Sequence, residues 1–139
     1  MILYSNLIDS ITEEKLSGFF VEWLNPPSPE MHLNILEKSS HRVLALDDET
    51  GNVVGFITAV SDNVLAAYIP FLEVLPEYQH QGIGTELLQR MMNELSTLYM
   101  IDLLCDSNIK QFYEKIGMKP AFAMSIRNYK FQSGMRNDK

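Results

Sequence analysis

Val74-Leu75-Pro76-Glu77-Tyr78-Gln79-His80-Gln81-Gly82-Ile83-Gly84-Thr85 is the stretch on which the fold turns. An apolar run ends in it, and a run of helical period, Leu87, Leu88, Met91, Met92 and Leu95, leaves it. The two glycines therefore lie between a strand and a helix that begins near Gly84. The first N–H groups of a helix have no carbonyl partner and, together with the helix dipole, favour an anion. Glycine lets a group such as a diphosphate approach the backbone with no Cβ in the way. No Lys or Arg lies in the stretch, so amides must do most of the binding. For Gly-x-Gly alone, a tight strand-to-helix turn without a ligand is the better explanation. The stretch is not a Walker A loop, because Gly-Lys-Ser/Thr is missing. It also lacks the three-glycine spacing of a dinucleotide-binding turn.

Working outward, the strand VLAAYIPFLEVL (64–75) contains Pro70, which cannot donate to a sheet ladder, so a bulge or splay is expected there. RVLALDD (42–48) and VVGFITAVS (53–61) flank a turn at 48–52, and Asp62-Asn63 makes a second turn. YMIDLLC (99–105) reads as a central strand buried on both faces. The strand-helix-strand unit over 64–105 then requires a parallel crossover. Asp106 or Ser107 caps a short helix with Ile109, Phe112, Tyr113 and Ile116, which Gly117 stops. A final strand is expected around 122–131, with room for a short one after Gly117 and a flexible tail over 132–139.

At the other end, ILYS (2–5) reads as an edge strand. Ser10-Ile11-Thr12-Glu13 has the capping-box pattern, and Leu16, Phe19, Phe20 and Trp23 follow at helical spacing. Asn25-Pro26-Pro27-Ser28-Pro29 ends that helix; Ser28 and Pro29 start another, with Leu33, Ile35 and Leu36 for its buried stripe. The expected fold is one α/β (α+β) domain over 1–139: a mixed, mostly antiparallel central sheet, about four helices, and a splayed parallel strand pair.

Composition narrows the partners. Of 139 residues, 46% are hydrophobic and 21% charged, the balance of a globular chain rather than a disordered one. No apolar run is long enough for a membrane helix, and MILYSNLIDSITEEK lacks the basic start of a signal peptide. The net charge of −7 offers no basic face for nucleic acid. Cys105 stands alone, which excludes an intrachain disulfide, and His32, His41 and His80 are too scattered for metal-ligand spacing. A reducing cytoplasm fits best.

The wider pattern LEVLPEYQHQGIGTELLQRM resembles the acetyl-CoA-binding motif of the GNAT N-acetyltransferase superfamily. That signature is Gln/Arg-x-x-Gly-x-Gly/Ala after a strand ending in Val-x-Pro. A second family element is matched by Asn108-Ile109-Lys110-Gln111-Phe112-Tyr113-Glu114-Lys115-Ile116-Gly117-Met118. The resemblance is tight over about 64–118 and only topological before that. Gln79 replaces the commoner Arg, His80 a frequent Gly, and Met118 a usual Phe.

The resemblance implies that backbone amides of Gln79, His80, Gln81, Gly82, Ile83 and Gly84 cradle the CoA pyrophosphate, with Thr85 opening the helix. It implies that Leu72, Glu73 and Val74 present backbone to the pantetheine arm, with the Val74 N–H polarising the thioester carbonyl. Asn108 would hydrogen-bond the pantetheine and Phe112 would pack beside it. Tyr113 would protonate the leaving thiolate, since a phenol is protonated at neutral pH. Glu73, a charge inside FLEVL, is the preferred base for the amine, with Tyr68 and His80 behind it. Cys105 reads as buried and inert. Phe19, Phe20 and Trp23 read as core, although their helix, Met31 and His32 could shape the substrate side. The implied activity is transfer of an acetyl group from acetyl-CoA to a primary amine by direct attack, with no metal. A non-catalytic acyl-CoA-binding module and another nucleotide binder are the competing readings. The acceptor, a small molecule or peptide, is not specified, and a homodimer is open.

Overall fold

The computed structural model describes residues 1–136. Its single sheet has five strands in chain order: β1 (Ile2–Ser5), β2 (His41–Asp47), β3 (Val53–Ser61), β4 (Ala66–Val74) and β5 (Met100–Leu103). The first four pair antiparallel, whereas β4 and β5 are parallel. Three α-helices accompany them: α1 (Pro29–Lys38), α2 (Ile83–Glu94) and α3 (Lys110–Glu114). The mixed, mostly antiparallel sheet and the α2 crossover are as expected. Short 3-10 turns take the place of a fourth helix.

Local chemistry explains the starts and turns. Ser28 Oγ accepts from the Met31 N–H at 3.1 Å, so the predicted cap with Pro29 behind it opens α1. Gly51, at φ +75, closes the first hairpin with its N–H on Asp47 O at 2.7 Å. Asp62 Oδ1 accepts from Val64, Leu65 and Ala66 and so builds the second turn.

The core lies on both sheet faces. One face carries Phe56, against which Phe19, Phe20 and His32 pack. The other receives Leu87, Leu88 and Met91 of α2, all buried. A Cβ at Gly55 would lie 3.1 Å from Leu87 and 3.4 Å from Ile83, so glycine on β3 admits the helix.

Four expectations are corrected. The helix after Ser10 shrinks to a 3-10 turn, Glu13–Leu16, and the Thr12 side chain makes no cap. The chain then bends through Gly18, Phe20 and Glu22, all at positive φ, so the apolar spacing marks burial rather than a helix. β5 lies at the sheet edge instead of its centre. Among the described residues no strand forms around 122–131 or elsewhere after Gly117; that segment is irregular apart from a 3-10 turn, Tyr129–Phe131. Cys105 is exposed rather than buried, because β5 ends before it. Of the expected tail, Gln132 is engaged, its Oε1 accepting from the Asn25 N–H at 2.9 Å, while 137–139 lie outside the described residues.

Candidate functional site

Pro70 decides where the sheet opens. Strand pairing between β4 and β5 runs from Ala66↔Met100 to Ile69↔Leu103 and stops at the residue before the proline. On the other side the register to β3 shifts between Thr58 and Val60, where Ile69 and Pro70 together face Ala59, so β4 itself bulges at the proline. Beyond it β4 keeps β3 as a partner and loses β5. Leu75 donates its N–H to Val54 O on β3 at 2.8 Å. Successive strand amides point to opposite sides, so the N–H groups of Leu72 and Val74 point to the open side.

The glycine turn closes the end of this opening. Pro76–Tyr78 forms a 3-10 turn, and the Tyr78 hydroxyl donates to Asp47 Oδ2 at 2.7 Å. Gln79 is not a free donor. Its backbone N–H goes to Pro76 O at 3.3 Å, and its side-chain amide donates to Val74 O at 3.0 Å. Gln79 therefore ties the turn to the end of β4. After it, the main-chain N–H groups of residues 80–85 reach no carbonyl among the described residues. His80 at φ +65 and Gly82 at φ +84 bend the chain so that this run leads into α2. The left-handed conformation suits glycine at 82 and is costly for His80. Gly84 serves a different need. A Cβ there would sit 3.6 Å from Phe112 and 3.8 Å from Val74, taking up the floor of the opening.

α3 supplies the opposite wall. The Ser107–Ile109 turn leads into it, and Gly117 at φ +98 ends it, with the Met118 N–H on Tyr113 O. Phe112 and Tyr113 meet edge to face, with ring centroids 5.0 Å apart. Burial, and secondarily the nearby Cys105, push the Tyr113 phenol above its ordinary range, so it stays protonated at neutral pH.

These parts enclose a cavity of about 380 Å³. It brings together Leu72, Val74, Gln79, His80, Gly82, Ile83, Gly84, Thr85, Phe112 and Tyr113 from the expected set. Gln81 and Asn108 do not line it, and both are exposed. Tyr78 and Ile109 line it and were missed, although each is a neighbour of a motif residue. Glu73 is also outside. It shares a sheet face with Phe56, away from Leu72 and Val74. Its carboxylate accepts from the Phe20 N–H at 2.9 Å and the Val21 N–H at 3.3 Å. Burial raises its pKa, and those two hydrogen bonds partly oppose the rise. Among the described residues no group of three or more His, Cys, Asp or Glu side chains could hold a metal. No described helix is long and apolar enough to cross a membrane.

Comparison with known proteins agrees with this geometry. The model of the acetyltransferase (GNAT) family matches residues 8–118. A crystal structure from Deinococcus radiodurans R1 that carries an acetyltransferase assignment is 43% identical, with a TM-score of 0.93, covering 96% of this chain and 93% of that one. A GNAT family protein from Streptococcus pneumoniae TIGR4 is 28% identical at a TM-score of 0.74, covering 92% and 98%. The uncharacterized N-acetyltransferase ycf52 of Pyropia yezoensis is 26% identical over 102 residues, 70% of this chain. The chain spans only 58% of that relative's length. The matched span contains the splayed strand, the glycine turn and α3 together, and the chain belongs to the GNAT acetyltransferase family.

Proposed function

We propose that the protein is an N-acetyltransferase that takes its acetyl group from acetyl-CoA and delivers it to a primary amine. The observation that carries this is the run of unpaired amides at 80–85 beside the unpaired edge of β4, both bordering one cavity. The residues fit the cosubstrate: donors without acceptors suit a diphosphate, and an open strand edge suits the amides of a pantetheine arm. Acetyl-CoA, when bound, supplies an acetyl group activated as a thioester.

The chain's own residues do the rest. The 80–85 amides hold the diphosphate, and Gln79 holds the turn in place through Val74 O. Leu72 and Val74 offer their N–H groups along the strand, with Val74 set to polarise the thioester carbonyl. Asn108 is exposed, and its side-chain amide, which makes no hydrogen bond among the described residues, is available for the pantetheine. Phe112 packs beside Gly84, and Tyr113 holds the proton for the departing thiolate. Glu73 is the base, taking the ammonium proton from the other side of β4. The net charge of −7 favours a cationic acceptor. A reducing cytoplasm suits the single exposed thiol.

A second reading, an acyl-CoA-binding module without turnover, draws on the Glu73 carboxylate being occupied by two backbone donors. Calorimetric titration with acetyl-CoA tests the cradle. Wild type should bind in the micromolar range, and Gly84→Glu should weaken binding by on the order of a hundredfold through overlap and charge repulsion. Absence of binding to folded wild type would remove acetyl-CoA from the reading. Binding without thiol release in the presence of any primary amine would favour the module.

A further inference from the structure

The face of β4 turned away from the cavity carries features that the cosubstrate leaves unused. Val60, Thr58 and Phe56 of β3 pair with Tyr68, Phe71 and Glu73, so these three side chains share one face. Trp23 comes over this face from the 18–22 bend. It packs on Phe20 and Phe71, with ring centroids 4.9 Å and 6.1 Å away, yet stays 37% exposed. Phe71 and Glu73 are half-buried. Accessible aromatic rings next to a half-buried carboxylate suit an ammonium carried on an apolar body.

The present partners of Glu73 are exchangeable. Its carboxylate accepts from the Phe20 and Val21 N–H groups. Phe20 at φ +61 and Glu22 at φ +69 hold a left-handed conformation that side chains disfavour, so this bend stores strain. An ammonium brings three donors of its own to take their place.

Charge selects the body of the acceptor. Residues 16–24, β4 and β5 contain no Lys or Arg. Their charged residues are Glu22, Glu73 and Asp102, the last paired with Tyr68 on the same face. Arg42 reaches this face from β2, opposite Thr58, but its guanidinium is committed to Leu36 O at 2.6 Å and Ser39 O at 2.8 Å. A phosphate or carboxylate beside the amine finds no counter-charge here and meets carboxylates instead.

We propose that the acceptor is a primary amine on an aromatic body without an anionic group. Its ammonium replaces the Phe20 and Val21 amides on Glu73, and its body lies against Trp23 and Phe71. The inference rests on the N-acetyltransferase reading and adds the substrate class. Glu73 takes the ammonium proton, the amine nitrogen bonds to the acetyl carbon as the C–S bond breaks, and Tyr113 protonates the thiolate.

Three amines test it at saturating acetyl-CoA, with thiol release as readout. 2-Phenylethylamine has the proposed body, phenylalanine adds a carboxylate to it, and ethanolamine lacks the ring. The kcat/KM for 2-phenylethylamine should exceed that for either of the others by about tenfold or more. Trp23→Ser should raise the KM for 2-phenylethylamine by about tenfold while acetyl-CoA affinity by calorimetry changes less than about twofold. Equal or better turnover of phenylalanine or ethanolamine, or an unchanged KM in Trp23→Ser, would overturn the proposal. Trp23 is the sole tryptophan, so its fluorescence reads binding without turnover. 2-Phenylethylamine should change it saturably and phenylalanine should not. If acetyl-CoA binds but no amine is acetylated, the enzyme reading fails and this titration decides alone: a saturable, selective response supports the amine site, and a flat or unselective one overturns it.

Discussion

Burial keeps the Tyr113 hydroxyl protonated well past neutral pH, and that limits it to donating a proton rather than taking one. It lines the cavity, which on the proposed function is where a leaving thiolate would form. Tyr113→Phe keeps the ring and the edge-to-face contact with Phe112 and removes only the hydroxyl. Turnover should then fall by on the order of a hundredfold while acetyl-CoA affinity changes less than about twofold. Steady-state kinetics alongside calorimetry separate the two; equal losses would exclude a general acid. At this scale the sequence was most legible where a residue type was out of keeping with its place. Pro70 in a strand announced the break in pairing, and Gly-x-Gly after it announced unpaired amides. Gln79 was harder to read. Its side chain bonds back to Val74 O and its N–H is already used, a role that no residue preference reveals.

Among the elements, the 18–22 bend shows why periodicity alone misled. Leu16, Phe19 and Phe20 are buried as their spacing demands, but the helix is replaced by a bend whose amides are taken by Glu73, more than fifty positions away. Such a long-range acceptor has no local signature. It gives Glu73 the job of anchoring the bend, separable from the proposed one of accepting a proton. Glu73→Gln retains one oxygen acceptor and removes the titrating group. If Glu73 is the base, the acidic limb of the kcat/KM pH profile should flatten, with a loss on the order of tenfold or more at neutral pH. A limb of unchanged position in the variant would leave the anchor as its only role. The 122–131 pattern is the converse case. The expected strand does not form: Phe122, Met124 and Ile126 alternate, but a strand also needs an edge, and residues 119–127 enter no backbone–backbone hydrogen bond among the described residues.

Across the whole molecule, the hairpins, the crossover and the opening followed from turns, glycines and apolar runs, because each is set by neighbours in the chain, whereas the place of β5 at the sheet edge did not. What joins the two ends of the N-terminal half was not visible in the same way. His32 is 1% exposed beneath Phe19, Phe20 and Phe56, and neither ring nitrogen has a hydrogen-bond partner among the described residues. Burial lowers its pKa from 6.5 to about 4. The unfolded chain therefore binds a proton in that window that the folded chain refuses. The contribution to stability is complete above pH 6.5 and lost as pH falls toward 4. It amounts to about 3 kcal/mol over the full window. Urea unfolding at pH 7 and pH 4.5 should show most of that loss in wild type. His32→Phe should remove this part of the dependence; an identical pH slope in the variant would mean that other groups cause it.

The divergence of β4 from β5 has a mechanical side. Past Ile69 and Leu103 the two strands are like boards hinged at one end, so whatever slides between them acts as a brace. A ligand whose amides take up the bare rungs of β4 stands in for a strand that the polypeptide omits. On the proposed function, the guest would lend stiffness to the C-terminal third, more as the gap fills and less once the spent molecule departs.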